Sequence, residues 1–212
     1  MDDAVRAALQ RWPQVPAVSG WLSLTARGEW RLHPAGDARP GRRGESITNP
    51  QLLAFIGRNY LGADDGRWFF QNGPQRVYVT LDLAPRIVRL GDDGRSLVDH
   101  TQQAVTAVSG WWLDPAGTLY LQTPAGPAAL LDRDLVALLP ELTDASGQSL
   151  DDALQAADST DPMTVLAAWH ERPIGWLPGG LGLAPLQLLP HTRADAALGF
   201  VRDPGQSILD AG

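Results

Sequence analysis

Five consecutive residues occur twice in this chain, as Ala17-Val18-Ser19-Gly20-Trp21 and, ninety residues on, as Ala107-Val108-Ser109-Gly110-Trp111. A repeat of that period is too long for a solenoid unit and suits a small β-rich domain with a helix packed on it, so it predicts duplication. The residues after each copy also match. Gly28-Glu29-Trp30-Arg31-Leu32-His33-Pro34-Ala35-Gly36 is answered by Gly117-Thr118-Leu119-Tyr120-Leu121-Gln122-Thr123-Pro124-Ala125-Gly126, one residue longer. A third segment, Gly66 to Pro74, has the same turn, aromatic centre and closing glycine. The alternative source of such a match is convergence among hairpins rich in Gly, Pro and Ala.

Local patterns fill in the elements. Asp2 to Trp12 is an amphipathic helix, with Val5, Ala8, Leu9 and Trp12 on one face and acidic residues at its positive end. Residues 21–25 and 29–33 flank Ala26-Arg27-Gly28 as a hairpin that buries either Leu22 and Leu24 or Trp21, according to register. Asn49 or Thr48 caps a helix that has Pro50 in its first turn; Leu52, Leu53, Phe55, Ile56 and Tyr60 form its buried stripe and Gly62 ends it. Asn72-Gly73 joins two strands, 67–71 and 76–83, and residues 86–90 are one more strand. Gly91-Asp92-Asp93-Gly94 then marks the seam.

In the second half, 97–108 is ambiguous between strand and helix, 110–113, 118–123 and 127–132 are strands, and 134–142 is helical or extended. Ser149 caps one helix, and Asp161 with Pro162 starts another that ends before Pro173. From Ile174 on, Gly and Pro predict edge strands or a segment wrapped over the sheet, and 203–212 a loose end. The expectation is an α+β fold of duplicated antiparallel β-rich units, each with packed helices. Its N-terminal half is 1–92, with a helix near 50–61. Its C-terminal half is 93–212, with helices near 150–171 and a Gly/Pro-rich tail.

Several of these segments together resemble an uncharacterised bacterial family of unknown function, with a duplicated core and a C-terminal half loosely like a pleckstrin-homology fold. They are Gly28-Glu29-Trp30, the helix from Ile47 to Leu61, Asp65-Gly66-Arg67-Trp68-Phe69, and Leu119-Tyr120-Leu121-Gln122-Thr123-Pro124. The resemblance covers about half of the chain and implies a ligand, nucleotide-like, between the halves. It carries over no functional residue. The chain departs from it after Thr123-Pro124, where an acidic residue is missing, and beyond Ser149.

Composition narrows the chemistry. The net charge of −7 excludes general binding to nucleic-acid backbones, which needs broad positive surfaces. Every one of the 17 cationic side chains is Arg, which removes Schiff-base lysines and the lysine of a phosphate loop. The absence of cysteine removes disulfides, thiol nucleophiles and thiolate metal sites. No signal peptide and no membrane span are expected, so a cytoplasmic location is the default. The histidines His33, His100, His170 and His191 lack metal-pair spacing, and His170 at a helix end suits the dipole as a cation. No cofactor or metal is expected. Ser19 and Ser109 lack the nucleophile elbow, the doublets Asp64-Asp65, Asp92-Asp93 and Asp151-Asp152 have local turn or capping roles, and Gly179 to Gly182 is a flexible corner.

The one concentration of positive charge is Arg39, Arg42 and Arg43, in a polar segment from His33 to Glu45 that reads as a mobile surface loop. Guanidinium forks match phosphate and carboxylate oxygens, so these three are the candidate ligand-binding residues, set against a plain solvated loop. The leading expectation is a non-catalytic protein that binds a small anionic ligand or a protein partner, with the site between its halves. The alternatives are a hydrolase that assembles Asp, Glu and His from distant segments, and a purely structural interaction module.

Overall fold

The computed structural model describes residues 1–156, 162–189 and 194–205. Two compact units make up the chain: one holds residues 1–85, 100–102 and the segment from Gly199, and the other holds 86–99 and 103–198.

Unit 1 begins with helix α1 (Asp3–Arg11) and the strands β1 (Val18–Leu24), β2 (Trp30–Leu32) and β3 (Glu45–Ser46). Helix α2 (Pro50–Arg58) follows, then β4 (Tyr60–Gly62), β5 (Trp68–Asn72) and β6 (Gln75–Leu81). The expected hairpin forms with Leu22 opposite Leu32 and Leu24 opposite Trp30, and Leu22 and Leu24 take the core side. Asn49 starts α2 as expected, its Oδ1 accepting the Gln51 and Leu52 amides at 2.9 and 3.1 Å. The end of this helix differs from the expectation. Asn59, fully buried, turns its side-chain amide back to the Phe55 carbonyl at 2.9 Å and closes the last turn. Tyr60 therefore leaves the helix stripe and enters β4, where its ring meets Trp30 and Trp68, each at 5.0 Å between centroids. At the β5–β6 turn Gly73 supplies the positive φ, +58°, that a two-residue hairpin loop needs at its first position.

Unit 2 contains β7 (Arg86–Leu90), β8 (Leu97–Asp99), β9 (Gly110–Leu113), β10 (Leu119–Thr123) and β11 (Gly126–Leu130). After them come α3 (Asp132–Leu138), a 3₁₀ turn, β12 (Leu142–Asp144), α4 (Leu150–Ala156) and α5 (Pro162–Trp169). β13 (Pro173–Trp176), β14 (Leu181–Leu188) and α6 (Ala194–Leu198) complete it. Gly91 to Gly94 is the tight turn between β7 and β8. Ser149 caps α4, its hydroxyl accepting the Asp152 amide at 2.9 Å, whereas Asp161 lies outside the described residues.

The two sheets have the same connectivity. Unit 1 orders its strands β3-β2-β1-β6-β5-β4, and unit 2 contains β11-β10-β9-β14-β13-β12, extended at β11 by β7 and β8. In each, a three-strand meander leads through a helix into three more strands, the last of which lies parallel to the first. The fold class is thus α+β with two β-rich units, as expected, but the sheets are mixed: β1 with β6, β9 with β14 and β7 with β11 are parallel pairs.

The Gly/Pro-rich tail is a second correction. β14 lies between β13 and β9, antiparallel to the first over Leu181–Pro185 and parallel to the second over Leu186–Leu188. Pro185, which has no N–H to donate, sits where the strand changes partner, so an interior strand tolerates it. The corner 179–182 leads into this strand, and Leu181, Ala184 and Leu186 join a core with Trp111, Leu121, Leu142, Ile174 and Trp176. Residues 199–205 also have fixed places in unit 1, since Val201 N–H donates to the Gly66 carbonyl at 2.9 Å and Arg202 accepts from Leu81 N–H at 2.8 Å.

Candidate functional site

The repeated pentapeptide builds different structures in the two units. Hairpin loops close between Leu24 and Trp30 in unit 1 and between Leu113 and Leu119 in unit 2, so Leu24 matches Leu113 and Leu22 matches Trp111. Counted from the loop, Gly28 and Gly117 are eighty-nine residues apart, whereas the pentapeptides are ninety apart. The extra residue of the first copy lies in a β-bulge: Val18 pairs with Val77 and Leu22 with Val79, leaving Ser19, Gly20 and Trp21 opposite Tyr78 alone. Gly20 makes the bulge possible at φ +84°, with its Cα so close to the next segment that a Cβ would stand 2.3 Å from the Gly36 oxygen.

The bulge places Trp21 and Leu22 on one cleft instead of on opposite faces. Trp21 is 44% exposed, whereas Trp111 is fully buried. Val18 extends the β1 wall, and Leu32 and Ile47 stand beside it. Helix α2 forms the facing wall with Leu52 and Ile56, while the β5–β6 hairpin supplies Phe70 and Val77, a directly opposed pair. The cleft measures about 440 Å³, within the range of small-molecule sites. Its two polar lining groups are Asn72 and Gln75, the next opposed pair on the same face toward the hairpin turn.

The matching positions of unit 2 are closed. Trp111 replaces Leu22, Leu121 replaces Leu32 and Leu130 replaces Ile47, all buried. Between β12 and β13, helices α4 and α5 bring Leu150, Leu154, Val165, Leu166 and Trp169 to the core, where unit 1 has only the short turn from Ala63 to Arg67 between β4 and β5.

The arginines singled out in the sequence line neither this cleft nor a smaller hollow in unit 2. Arg39, Arg42 and Arg43 are exposed, and Arg42 forms an ion pair with Asp37. Their loop is held rather than free: Ala38 is buried with its amide on the Gly20 carbonyl at 2.9 Å, and Gly41 N–H donates to Asp82 at 2.6 Å.

Around the same loop, Ser23, His33 and Asp37 imitate the order of a hydrolytic triad. Ser23 Oγ and His33 Nε2 are 2.8 Å apart, and His33 Nδ1 is 4.0 Å from Asp37 Oδ1. Neither cavity includes any of the three. The Ser23 and His33 side chains are buried, the carboxylate is beyond hydrogen-bond reach and is engaged by Arg42, and the Gly44 backbone packs so tightly on the imidazole that a Cβ would lie 2.7 Å away. The trio anchors the loop to the hairpin.

The hollow in unit 2, of about 240 Å³, exposes the edge of a buried ion pair, Arg86 with Asp99. Arg86 also donates from Nε to the Ala125 carbonyl at 2.9 Å, and Asp99 Oδ1 accepts the Gln103 amide at 3.0 Å. Those bonds tie β7, β8 and the β10–β11 turn together.

Two of the carboxylates with lowered values sit in turns. The Arg67 side chain holds Asp65 below the usual aspartate range, and the Ser146 hydroxyl, with the turn amides and Arg172, does the same for Asp144. His170, just past the end of α5, has its Nδ1 3.2 Å from the Leu188 amide, which donates to it. His100 packs its ring on Trp30 and Tyr60, and His191 lies outside the described residues. Among the described residues no group of three His, Asp or Glu side chains could hold a metal, and no helix is long and apolar enough to cross a membrane.

The cleft escaped sequence reasoning because its walls read as ordinary core positions. The one available signal was the mismatch between the two repeat distances. Comparison with known proteins adds a family but no chemistry. In line with the resemblance seen in the sequence, a family model described as "Protein of unknown function (DUF2946)" matches residues 1–204. No curated protein matches. Among solved structures, a DUF1285 family protein from Silicibacter pomeroyi DSS-3 is similar at 16% identity, TM-score 0.48, over 84% of this chain and 86% of the other. A DUF1285 family protein from Shewanella baltica OS155 is similar at 15% identity, TM-score 0.38, over 54% of this chain and 86% of that one.

Proposed function

Because the chain belongs to that family of unknown function, whose description carries no activity, we propose its function from the cleft: it is a non-catalytic binding protein that shelters the apolar part of a small ligand in unit 1. The observation that supports this reading is a cleft of about 440 Å³ whose wall includes three large, exposed apolar side chains, Trp21, Leu32 and Leu52. Exposed apolar groups gathered around a concavity mark binding surfaces, and burying them under a ligand is favourable by about 25 cal/mol for each Å² removed from water. The same face in unit 2 is filled by the chain's own side chains, so closing it is compatible with this connectivity.

The test is a fluorescence titration of the full chain with Nile red, an uncharged dye that brightens in apolar surroundings. Saturable binding that Leu52→Glu abolishes, with the circular dichroism unchanged, is the expected result. Leu52 stands at the mouth and is 42% exposed, so the change puts a charge beside the ligand without burying it in the core. Failure to bind Nile red overturns the reading.

A further inference from the structure

We propose that the ligand of this cleft is an uncharged amphiphile, an alkyl or ring body that ends in an alcohol or amide, with its polar end at Asn72 and Gln75. This assignment rests on the apolar-ligand reading of the cleft and specifies its chemistry.

Hairpin register sets the order of groups along the wall. Phe70 opposes Val77 and Asn72 opposes Gln75, so both pairs face the cleft from the same side of the β5–β6 ribbon. Two residues along a strand amount to about 7 Å. The lining thus changes from apolar to amide over that distance toward the turn at Gly73. A ligand with its body against Phe70, Val77 and Ile56 reaches the amides with its end.

The head-group class is set by the hydrogen bonds the amides offer. Asn and Gln each carry two N–H donors and one carbonyl acceptor, and neither of these two side chains bonds to another described residue. They match groups that both donate and accept weakly, such as hydroxyls and amides. Among the described residues no Arg, His, Asp or Glu lines the cleft. A carboxylate or phosphate brought there would lose water without gaining a counter-charge, in a chain whose net charge of −7 already opposes anions. An ammonium group would likewise find no carboxylate among the lining residues. The arginines that could serve an anion, Arg39 and Arg43, line other surface.

Calorimetric titration of the full chain at neutral pH with octanol, octanamide and octanoate separates the possibilities. The expected result is that octanol and octanamide bind and octanoate binds at least about tenfold more weakly, the difference one unmet charge–dipole interaction makes. Gln75→Arg then raises octanoate affinity by a similar factor, which removes the preference for octanol over octanoate. Gln75 is a partly exposed hairpin residue, so this variant keeps the fold, which circular dichroism checks. Equal binding of all three probes overturns the head-group assignment and leaves the apolar cleft standing. Failure of all three to bind, with Nile red also silent, overturns both.

Discussion

Leu22 and Trp111 hold the same place in two copies of one sheet. Each lies opposite a leucine of its hairpin partner, Leu32 or Leu121, and beside the final strand of its unit, at Val79 or Leu186. A leucine in the first and an indole in the second is one direct reason why one face is open and the other filled.

Leu22→Trp should therefore close the cleft of unit 1 with the side chain that unit 2 already uses. The expected outcome is a loss of Nile red binding by about tenfold or more, at a stability cost of about 1–3 kcal/mol for overpacking. Dye titration alongside urea unfolding reads both. The triple change Arg39→Ala, Arg42→Ala and Arg43→Ala should leave dye affinity within about twofold, because none of these residues lines the cleft. Unchanged dye binding by folded Leu22→Trp would place the dye elsewhere.

Gly20 and Gly117 have the same φ, +84°, in very different surroundings. A Cβ on Gly20 would collide with the Gly36 backbone at 2.3 Å, while one on Gly117 meets nothing within 4 Å. Gly117→Ala should cost about 1 kcal/mol, the left-handed strain alone. Gly20→Ala adds a backbone clash and should cost about 3 kcal/mol or more. Equal costs in chemical denaturation would show that the bulge can relax.

The Arg86–Asp99 pair is shielded, with side-chain exposures of 7% and 3%, whereas Arg42 in its pair with Asp37 is 53% exposed. Asp99→Ala leaves a guanidinium uncompensated in the interior and should destabilise by about 3–5 kcal/mol. Arg42→Ala should change stability by less than about 1 kcal/mol. Denaturation midpoints of the two variants check the ranking.

Acid should weaken the fold through its turn carboxylates. Asp65 and Asp144 have folded-state values held below 3.8 by their donors. A depressed value means that the contribution is complete above the ordinary aspartate range and is lost as pH falls below that range, through the folded values. Asp144→Asn should be less stable than the native chain at pH 7, with the gap narrowing on acidification. A constant gap between pH 7 and pH 3 would remove Asp144 from the acid response.

Local chemistry made much of the fold legible. The Asn49-Pro50 start of α2 and the Gly28 and Gly117 loops each depend on residues within a turn of one another and lie where the sequence puts them, while the β5–β6 turn falls at Gly73-Pro74, one residue past the expected Asn72-Gly73. The misreadings share a different cause. Tyr60 fits the helical stripe by spacing, but Asn59 is committed elsewhere: it accepts the Asp2 amide at 2.8 Å, a partner 57 residues away. Leu181 to Leu188 looks like an edge because of its Gly and Pro, yet its parallel partner is β9, far back in the chain. Of the cleft, the two repeat distances held the clue to the bulge, while the openness of the face depends on a short β4–β5 turn where unit 2 inserts two helices.

Unit 1 is also discontinuous in time. Leu81 of β6 donates to Arg202 and Gly66 accepts from Val201, so a unit whose strands are all in place by residue 81 acquires its last backbone hydrogen bonds only after more than a hundred further residues have been made. During synthesis at about 5–20 residues per second, that leaves an incompletely bonded sheet waiting for several seconds while unit 2 is still emerging. Chain closure over such a span is slow relative to the local hairpins. The biogenesis of the first unit is therefore coupled to translation of the second, and exposure to chaperones should be concentrated in that interval.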